Sequence, residues 1–600
     1  MFTTLSVRMI LWATLVMALF MNYVQWANDY ALPSPPAAAS STGAGNANSN
    51  SGLAPLGSTV PTAVPAAATP AATNIATNAA PAIAPGTAPA GTGPVIEPGA
   101  APTATPAATT GAARLAGANA GSDAPRVHVL TDVLDMDISL DGGELVRADL
   151  PKYPQVKGEP APVRLLNRGP GGELFTLQSG LSGVGGSTAP THLTRLSTTV
   201  SELRLGPDQD ELRLPLTWSN GAGVSVTKTY IFHRGQYAIG LEYQLQNASG
   251  TPWSFSPYLQ LLRDNTPVAT SYFHPESYAY KGPAYDDGHK YQKLKPASTP
   301  PTLNAEVDGG WLAAMQHHFV AAVVPTAGAP WHYQLDWQGQ SYLLSATGGA
   351  QQLAAGASAT LHETLFVGPK LQAELGKASP RLYLVTDYGW LSVVARPLFW
   401  LLDNVHKVFG NWGWTIMIVT LLLKLLFYPL SEASMKSMAR MKALQPRIKL
   451  LQETYKDQRE KLSKAMMELY QKEKVNPVAG CLPMLIQFPV FIAFYWVLLE
   501  TVEMRQAPFA GWIGDLSARD PWFILPVLMA GANYINFHLN PQMGDPTQQK
   551  MFMIMQVAMP VMFAFMPSGL VLYWVTNTVL SILQQWNINR RIAAQGASRS

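Results

Sequence analysis

The chain is 600 residues long, 48% hydrophobic and only 13% charged, with a formal net charge of +3. That length exceeds one ordinary domain, so large an apolar share with so few charges fits a chain divided between bilayer and water, and +3 is too little to argue for a nucleic-acid partner. The single cysteine, Cys481, excludes an intrachain disulfide and a cysteine metal cluster.

The first apolar run, MILWATLVMALFMNYVQW at 9–26, follows Arg8 and closes on Tyr23 and Trp26. A cleaved signal peptide is the rival reading. The exit ANDYALPS lacks a small-x-small cleavage site, which favours a retained anchor at 1–27 with its N-terminus in the cytoplasm. Residues 28–125 are dominated by Ala, Pro, Thr, Gly and Ser, and such a stretch buries too little apolar surface to offset its ordering entropy, so a disordered tether is expected.

From 126 to 376 the pattern switches to a period of two. Leu134, Met136 and Ile138 alternate with Asp135 and Asp137 before an Asp141-Gly142-Gly143 turn; Leu212, Leu214, Leu216 and Trp218 alternate again, as do Ile239, Leu241, Tyr243 and Leu245. Many short strands with Gly/Pro/Asn punctuation predict an all-β sandwich with its own core. No active site stands out in it. Asp135 and Asp137 read as one solvated strand face. The adjacent His317 and His318, placed in a strand, point to opposite sides, and no metal-ligand spacing occurs. The Gly183-Val184-Gly185-Gly186 run lacks the Lys-Ser/Thr of a phosphate loop.

Residues 377–410 carry Leu391, Val394, Leu398, Leu401, Leu402, Val405 and Phe409 at helical spacing. An amphipathic helix on the outer membrane face is expected, although packing on the β-domain gives the same pattern. Residues 412–430, WGWTIMIVTLLLKLLFYPL, are long and apolar enough to cross a bilayer, yet hold Lys424 with Thr420 one turn before it and no acidic residue. A lysine at membrane depth is costly and usually functional; the rival is an amine stretched to the headgroups.

The stretch 431–476 opposes eleven bases to six acids, a net +5, and its Met435-Met438-Met441-Leu444 and Leu462-Met466-Leu469-Tyr470 stripes predict a cytoplasmic helical hairpin reversing near Asp457. Four more apolar segments follow at about 482–499, 522–539, 552–566 and 569–587, and 593–600 form a short cytoplasmic tail. With the anchor that makes six spans, both termini inside. The later spans carry Gln487, Asn533 and Asn536, Gln556 and Asn577, and on the last one Tyr573, Asn577 and Ser581 form one stripe. A buried ammonium without a carboxylate needs water or oxygens, so a wet cavity between helices is the economical arrangement. Such a groove holds the polar flank of an incoming segment while its apolar part partitions into lipid, and the transfer supplies the free energy. No P-loop occurs, and no cofactor or metal is expected.

The stretches GNWGWTIMIVTLLLKLLFYPL, NPVAGCLPMLIQFPVF, RQAPFAGWIGDLSARDP and MPSGLVLYW resemble the YidC/Oxa/Alb family of membrane protein insertases, in its Gram-negative bacterial form. The resemblance covers 131 to about 591. It implies a multi-domain inner-membrane protein: a periplasmic β-supersandwich similar to sugar-mutarotase folds, and five core helices at 411–592 around a hydrophilic groove, with the anchor as sixth span. It implies a non-enzymatic insertase and chaperone acting alone or with the Sec translocon. Its partners are nascent membrane proteins, lipids and, through the cytoplasmic loops, the ribosome, and DNA is not among them. The groove residues it implies are Lys424, Thr420, Gln487, Tyr573, Trp574 and Asn577. Relatives usually carry Arg where this chain has Lys424, and Lys lacks the bidentate fork. A tyrosine pair in relatives reads Tyr573-Trp574 here. A secondary transporter is one alternative, though it favours charged pairs at mid-membrane and repeated halves; a membrane-anchored carbohydrate-active β-domain is another.

Overall fold

The computed structural model describes residues 60–61, 124–169, 173–265, 270–271, 277, 279–295, 300–455, 458–473, 482–539 and 546–597. The anchor at 9–26, nearly all of the tether, Asp457 and Cys481 lie outside the described residues. The described residues divide into two compact units, one of those within Leu32–Pro267 and Tyr280–Val385, the other of those within Val268–Ala279 and Thr386–Ser600.

The first unit is two large sheets, one of eleven strands and one of eight. Nearly all pairings are antiparallel, the exception being the parallel contact of Arg126–Leu130 with Glu202–Arg204. The alternation seen in the sequence is the reason for the layering. Leu212, Leu214 and Leu216 of strand Glu211–Ser219 are buried while Glu211, Arg213 and Pro215 are exposed, because successive side chains leave opposite faces. Strand Ala238–Asn247 buries Ile239, Leu241, Tyr243 and Leu245 in the same way. The Asp141-Gly142-Gly143 turn has φ of +63° and +67° at its glycines, and a Cβ on Gly142 would lie 2.1 Å from the His192 Cα. Only glycine fits there.

Each sheet sends one buried cation to backbone oxygens of the other. Lys228 of strand Val224–His233 donates to the carbonyls of Gly142 (2.7 Å) and Ser179 (3.0 Å), and Arg263 of strand Trp253–Asp264 donates to the Met315 carbonyl at 2.7 Å. Burial draws the Lys228 ammonium down to about 7, with the nearby Glu144 opposing. Burial also pushes the Glu144 carboxyl up, against its Arg168 partner at 2.7 Å.

Two details differ from the sequence reading. Asp135 and Asp137 are not merely solvated: Arg147 from the neighbouring strand joins Asp135 (2.7 Å), Asp137 (2.8 Å) and Asp149 (2.5 Å). His317 and His318 sit in the turn between strands Trp311–Met315 and Phe319–Val324, not within a strand, so their rings stack at 3.8 Å instead of diverging. In the glycine run Gly183 ends strand Phe175–Gly183 and the residues after it form a loop, with positive φ at Gly185 and Gly186. After the last strand, helix α1 (Gln372–Ala378) and the turn Leu382–Val385 stay with the sandwich through buried Leu375, Leu382 and Val385. Arg381 binds Asp286 bidentately at 2.8 Å.

The second unit is helical. Helix α2 (Ser392–Phe409) turns Ala395, Leu398, Phe399 and Leu402 into the unit's own apolar core and ends on Gly410 in the left-handed conformation. Its opposite face leaves Val393, Trp400 and Val408 exposed. Helix α3 (Trp412–Leu426) starts on Asn411, whose side chain accepts from the Gly413 and Trp414 amides. The apolar run expected at 412–430 is not one straight helix. It breaks at Phe427 and bends by 62° into α4 (Tyr428–Thr454), because Pro429 has no amide hydrogen to continue the ladder. Helix α5 (Arg459–Lys472) packs beside α4, joined by Arg447 to Glu473 at 2.6 Å. Helices α6 (Leu482–Glu500), α7 (Ile524–Leu539), α8 (Pro546–Phe563) and α9 (Ser568–Ala597) complete the unit. Among the described residues no single helix is long and apolar enough to cross a membrane, while α3 and α4 together pass that test of length and composition.

Asp515 and Asp520, between α6 and α7, serve the backbone. Asp520 accepts from the amides of Trp522 (3.1 Å) and Leu525 (2.7 Å) and from the Trp512 indole, and so caps the entry to α7. Ser568 donates to the Asp515 carbonyl and the Gly569 amide to the Leu516 carbonyl, which ties this loop to the start of α9. Gly413 lies so close to Phe509 that an added Cβ would stand 2.0 Å from the ring, so the N-terminal end of α3 is sealed by packing.

Candidate functional site

The opposite, C-terminal end of α3 is open. A small cavity of about 40 Å3 is lined by Thr420, Leu423, Lys424 and Phe427 around the α3–α4 break, Leu430 and Ser431 of α4, Gln487 and Val490 of α6, and Tyr573 and Asn577 of α9. Helix spacing explains the lining. Thr420 and Lys424 are one turn apart, as are Tyr573, Asn577 and Ser581, so each helix presents a polar row to the same space.

Lys424 does not reach outward. Its Nζ donates to the Ser581 Oγ at 2.7 Å, and Ser581 donates in turn to the Asn577 carbonyl at 2.7 Å. Gln487 Nε2 donates to the Asn577 Oδ1 at 2.5 Å, so α6 and α9 are bridged beside the ammonium. The Thr420 hydroxyl donates back to the Ile416 carbonyl of its own helix at 2.6 Å, which leaves its oxygen lone pairs toward the cavity. Tyr573 is held by ring stacking on Phe494 at 4.3 Å. Among the described residues neither Asp nor Glu lines the cavity, and the ammonium there faces neutral oxygens and amides.

Five of the six residues singled out from the sequence, Lys424, Thr420, Gln487, Tyr573 and Asn577, line this one cavity. Trp574 does not. One residue after Tyr573 it points about 100° around the helix, into an aromatic group with Phe491 (5.1 Å) and Phe563 (5.2 Å). Phe427 and Ser431 also line the cavity, and their place there depends on the bend, which no hydropathy pattern signals; Ser581 belongs to the polar stripe of the last helix. Its i+4 spacing from Asn577 was the available signal. Among the described residues no cluster of three or more His, Cys, Asp or Glu is arranged to hold a metal.

Residues 404–595 match the family model described as 60Kd inner membrane protein, and residues 126–401 match the YidC periplasmic domain. The membrane protein insertase YidC of Thioalkalivibrio sulfidiphilus is 46% identical over 488 residues, covering 79% of this chain and 86% of the relative. The chain belongs to the YidC family of membrane protein insertases. The YidC of Pseudomonas fluorescens is 44% identical over 477 residues, covering 78% of this chain and 85% of its own. A solved structure described as an active YidC insertase with its first transmembrane domain resolved covers 76% of this chain and 92% of its own at 20% identity and a TM-score of 0.33; the family membership rests on the sequence matches. Within a YidC-family chain, then, the large β-sandwich at 126–385 precedes a helical unit whose polar cavity contains one lysine.

Proposed function

We propose that this chain is a membrane protein insertase and chaperone of the inner membrane, and that its working surface is the cavity around Lys424. The observation that carries the reading is the inward hydrogen bond of Lys424 to Ser581 in a cavity open at one end and lined by helices α3, α4, α6 and α9. A cation so placed accepts the polar or acidic flank of an entering segment, while its ~20 apolar residues move into lipid. Transfer of that apolar surface at roughly 25 cal/mol per Å2 supplies the free energy without a nucleotide. Thr420, Gln487, Tyr573 and Asn577 offer the flank further hydrogen bonds in place of water. The relatives' name favours this reading over a transporter or an anchored carbohydrate-active domain.

In the same reading the six spans are the N-terminal anchor at 1–27 and the segments at about 411–430, 482–499, 522–539, 552–566 and 569–587, with the bend at Phe427 near the cytoplasmic surface. Both termini and the basic hairpin at 431–476 are cytoplasmic, where its net +5 faces acidic headgroups. The sandwich is periplasmic after the tether at 28–125, and α2 lies at the outer interface with Trp400 and Val408 toward lipid. Nascent membrane proteins are the clients, the Sec translocon a partner, and the ribosome a partner through the cytoplasmic loops.

The test is insertion into vesicles reconstituted with the full chain. Lys424→Ala lowers insertion of a one-span client with an acidic translocated flank about ten-fold, and Lys424→Arg restores it. Unchanged insertion by the Ala variant would sink the groove mechanism. Deleting residues 126–376 leaves most of the insertion activity in place, whereas a carbohydrate-active protein loses everything.

A further inference from the structure

We propose that Ser581 is a positioning residue that latches Lys424 across the cavity and thereby sets the preference for acidic over neutral client flanks. The inference rests on the insertase reading above and deepens it. Three geometric facts carry it. The Lys424 ammonium, on α3, gives one of its three protons to the Ser581 Oγ on α9 at 2.7 Å, and among the described residues no carboxylate is bonded to it. The Ser581 hydroxyl gives its own proton to the Asn577 carbonyl at 2.7 Å. The cavity lined by Lys424 and Asn577 lies beside this link and is open to an entering group.

Those bonds make the latch two-state. When the ammonium swings away, the serine hydroxyl keeps donating to the Asn577 carbonyl, so no donor is stranded and opening exposes only an oxygen lone pair. What opens it depends on the entering group. A carboxylate forms a charge-assisted hydrogen bond with the ammonium, roughly twice as strong as a neutral one, and displaces the hydroxyl at a gain. An amide or hydroxyl on the client only exchanges one neutral oxygen for another. An even exchange leaves a neutral flank on the ammonium about half the time, so the latch lowers its occupancy, whereas a carboxylate saturates the ammonium with or without the latch. Lysine suits the arrangement because its ammonium is a point charge on a flexible stem that can turn between two acceptors, which a planar guanidinium does less readily.

The experiment uses full-length chain in proteoliposomes and two one-span clients that differ only in a short translocated flank, with two Glu in one and two Gln in the other. Wild type prefers the Glu client. Ser581→Ala raises insertion of the Gln client and cuts the Glu-to-Gln ratio about two-fold, because loss of one ordinary hydrogen bond takes the neutral flank from about half to nearly full occupancy of the ammonium. Ser581→Thr keeps the hydroxyl and the wild-type ratio, and in a Lys424→Ala background Ser581→Ala leaves the ratio unmoved. A Ser581→Ala variant that lowers both clients equally, or shifts the ratio without Lys424, makes the serine a packing residue and overturns the latch. If Lys424→Ala impairs insertion while Ser581→Ala leaves the ratio at wild type, the latch alone falls. If Lys424→Ala inserts both clients like wild type, the groove reading falls with it.

Discussion

Two lysines, one in each unit, show how surroundings decide what a buried cation does. Lys228 is 2% exposed, and its ammonium is clasped by the Gly142 and Ser179 carbonyls, with the Tyr230 and Tyr243 rings at 5.3 and 5.7 Å. Those acceptors belong to a fixed backbone, so the charge has nowhere else to go and its bonds hold two sheets together. Lys424 is half-buried, bonded to one side-chain hydroxyl, and borders open space. Fixed acceptors make a cation structural; one movable acceptor beside a cavity leaves it able to receive a ligand.

Substitutions break that comparison in order of size. Lys228→Met leaves the Gly142 and Ser179 carbonyls buried without a donor, and should cost about 3 kcal/mol in chemical denaturation of the full chain in detergent. Lys424→Met should lower insertion about ten-fold, or ~1.4 kcal/mol, while shifting stability in the same denaturation assay by under ~1 kcal/mol; a larger loss would make Lys424 as structural as Lys228.

The pH dependence sharpens the contrast. An unfolded chain keeps the Lys228 proton up to its ordinary 10.5, whereas the folded sandwich releases it near 7. Between those values the unfolded state binds more protons, so this group makes the fold more stable as pH rises, by at most ~1.4 kcal/mol per pH unit. The difference in stability between wild type and Lys228→Met, measured at pH 7 and pH 9, should grow by that order; a difference independent of pH contradicts a depressed ammonium. The smallest effect is reserved for Trp574→Phe. Among the described residues its buried Nε1 has no hydrogen-bond partner, and the ring lies outside the cavity, so stability should move by less than ~1 kcal/mol and insertion hardly at all. A clear insertion defect would return Trp574 to the groove.

Much of the sandwich was legible as a pattern. Leu212, Leu214 and Leu216 alternate because one strand face is core, and that rule is local. What the pattern hides is the partner across the strand. Asp135 and Asp137 read as a wet face because Arg147, which joins them, comes from the next strand in a register set by pairing and a bulge. The helix bend escaped for a different reason. Hydropathy counts residues without regard to the backbone, so 412–430 read as one span, although Pro429 already carried the information that the ladder must stop. In the cavity, Thr420 with Lys424 and Tyr573 with Asn577 are visible as i, i+4 pairs, whereas Trp574 enters only through the family resemblance and faces the aromatic group of Phe491 and Phe563.

By itself the chain's order of residues determined that an unpaired lysine lies within an apolar run and that three polar side chains share one face of the last helix, because composition and helical period are properties of neighbours. Where that lysine points was decided only by tertiary structure. Its acceptor, Ser581, is 157 residues away and on another helix. Packing at the far end of α3, through Gly413 against Phe509, and the break at Phe427 bring the two side chains to one space. A stem as long as lysine's serves equally to reach outward to headgroups or inward to a hydroxyl, and the choice rests on which oxygens the neighbouring helices supply.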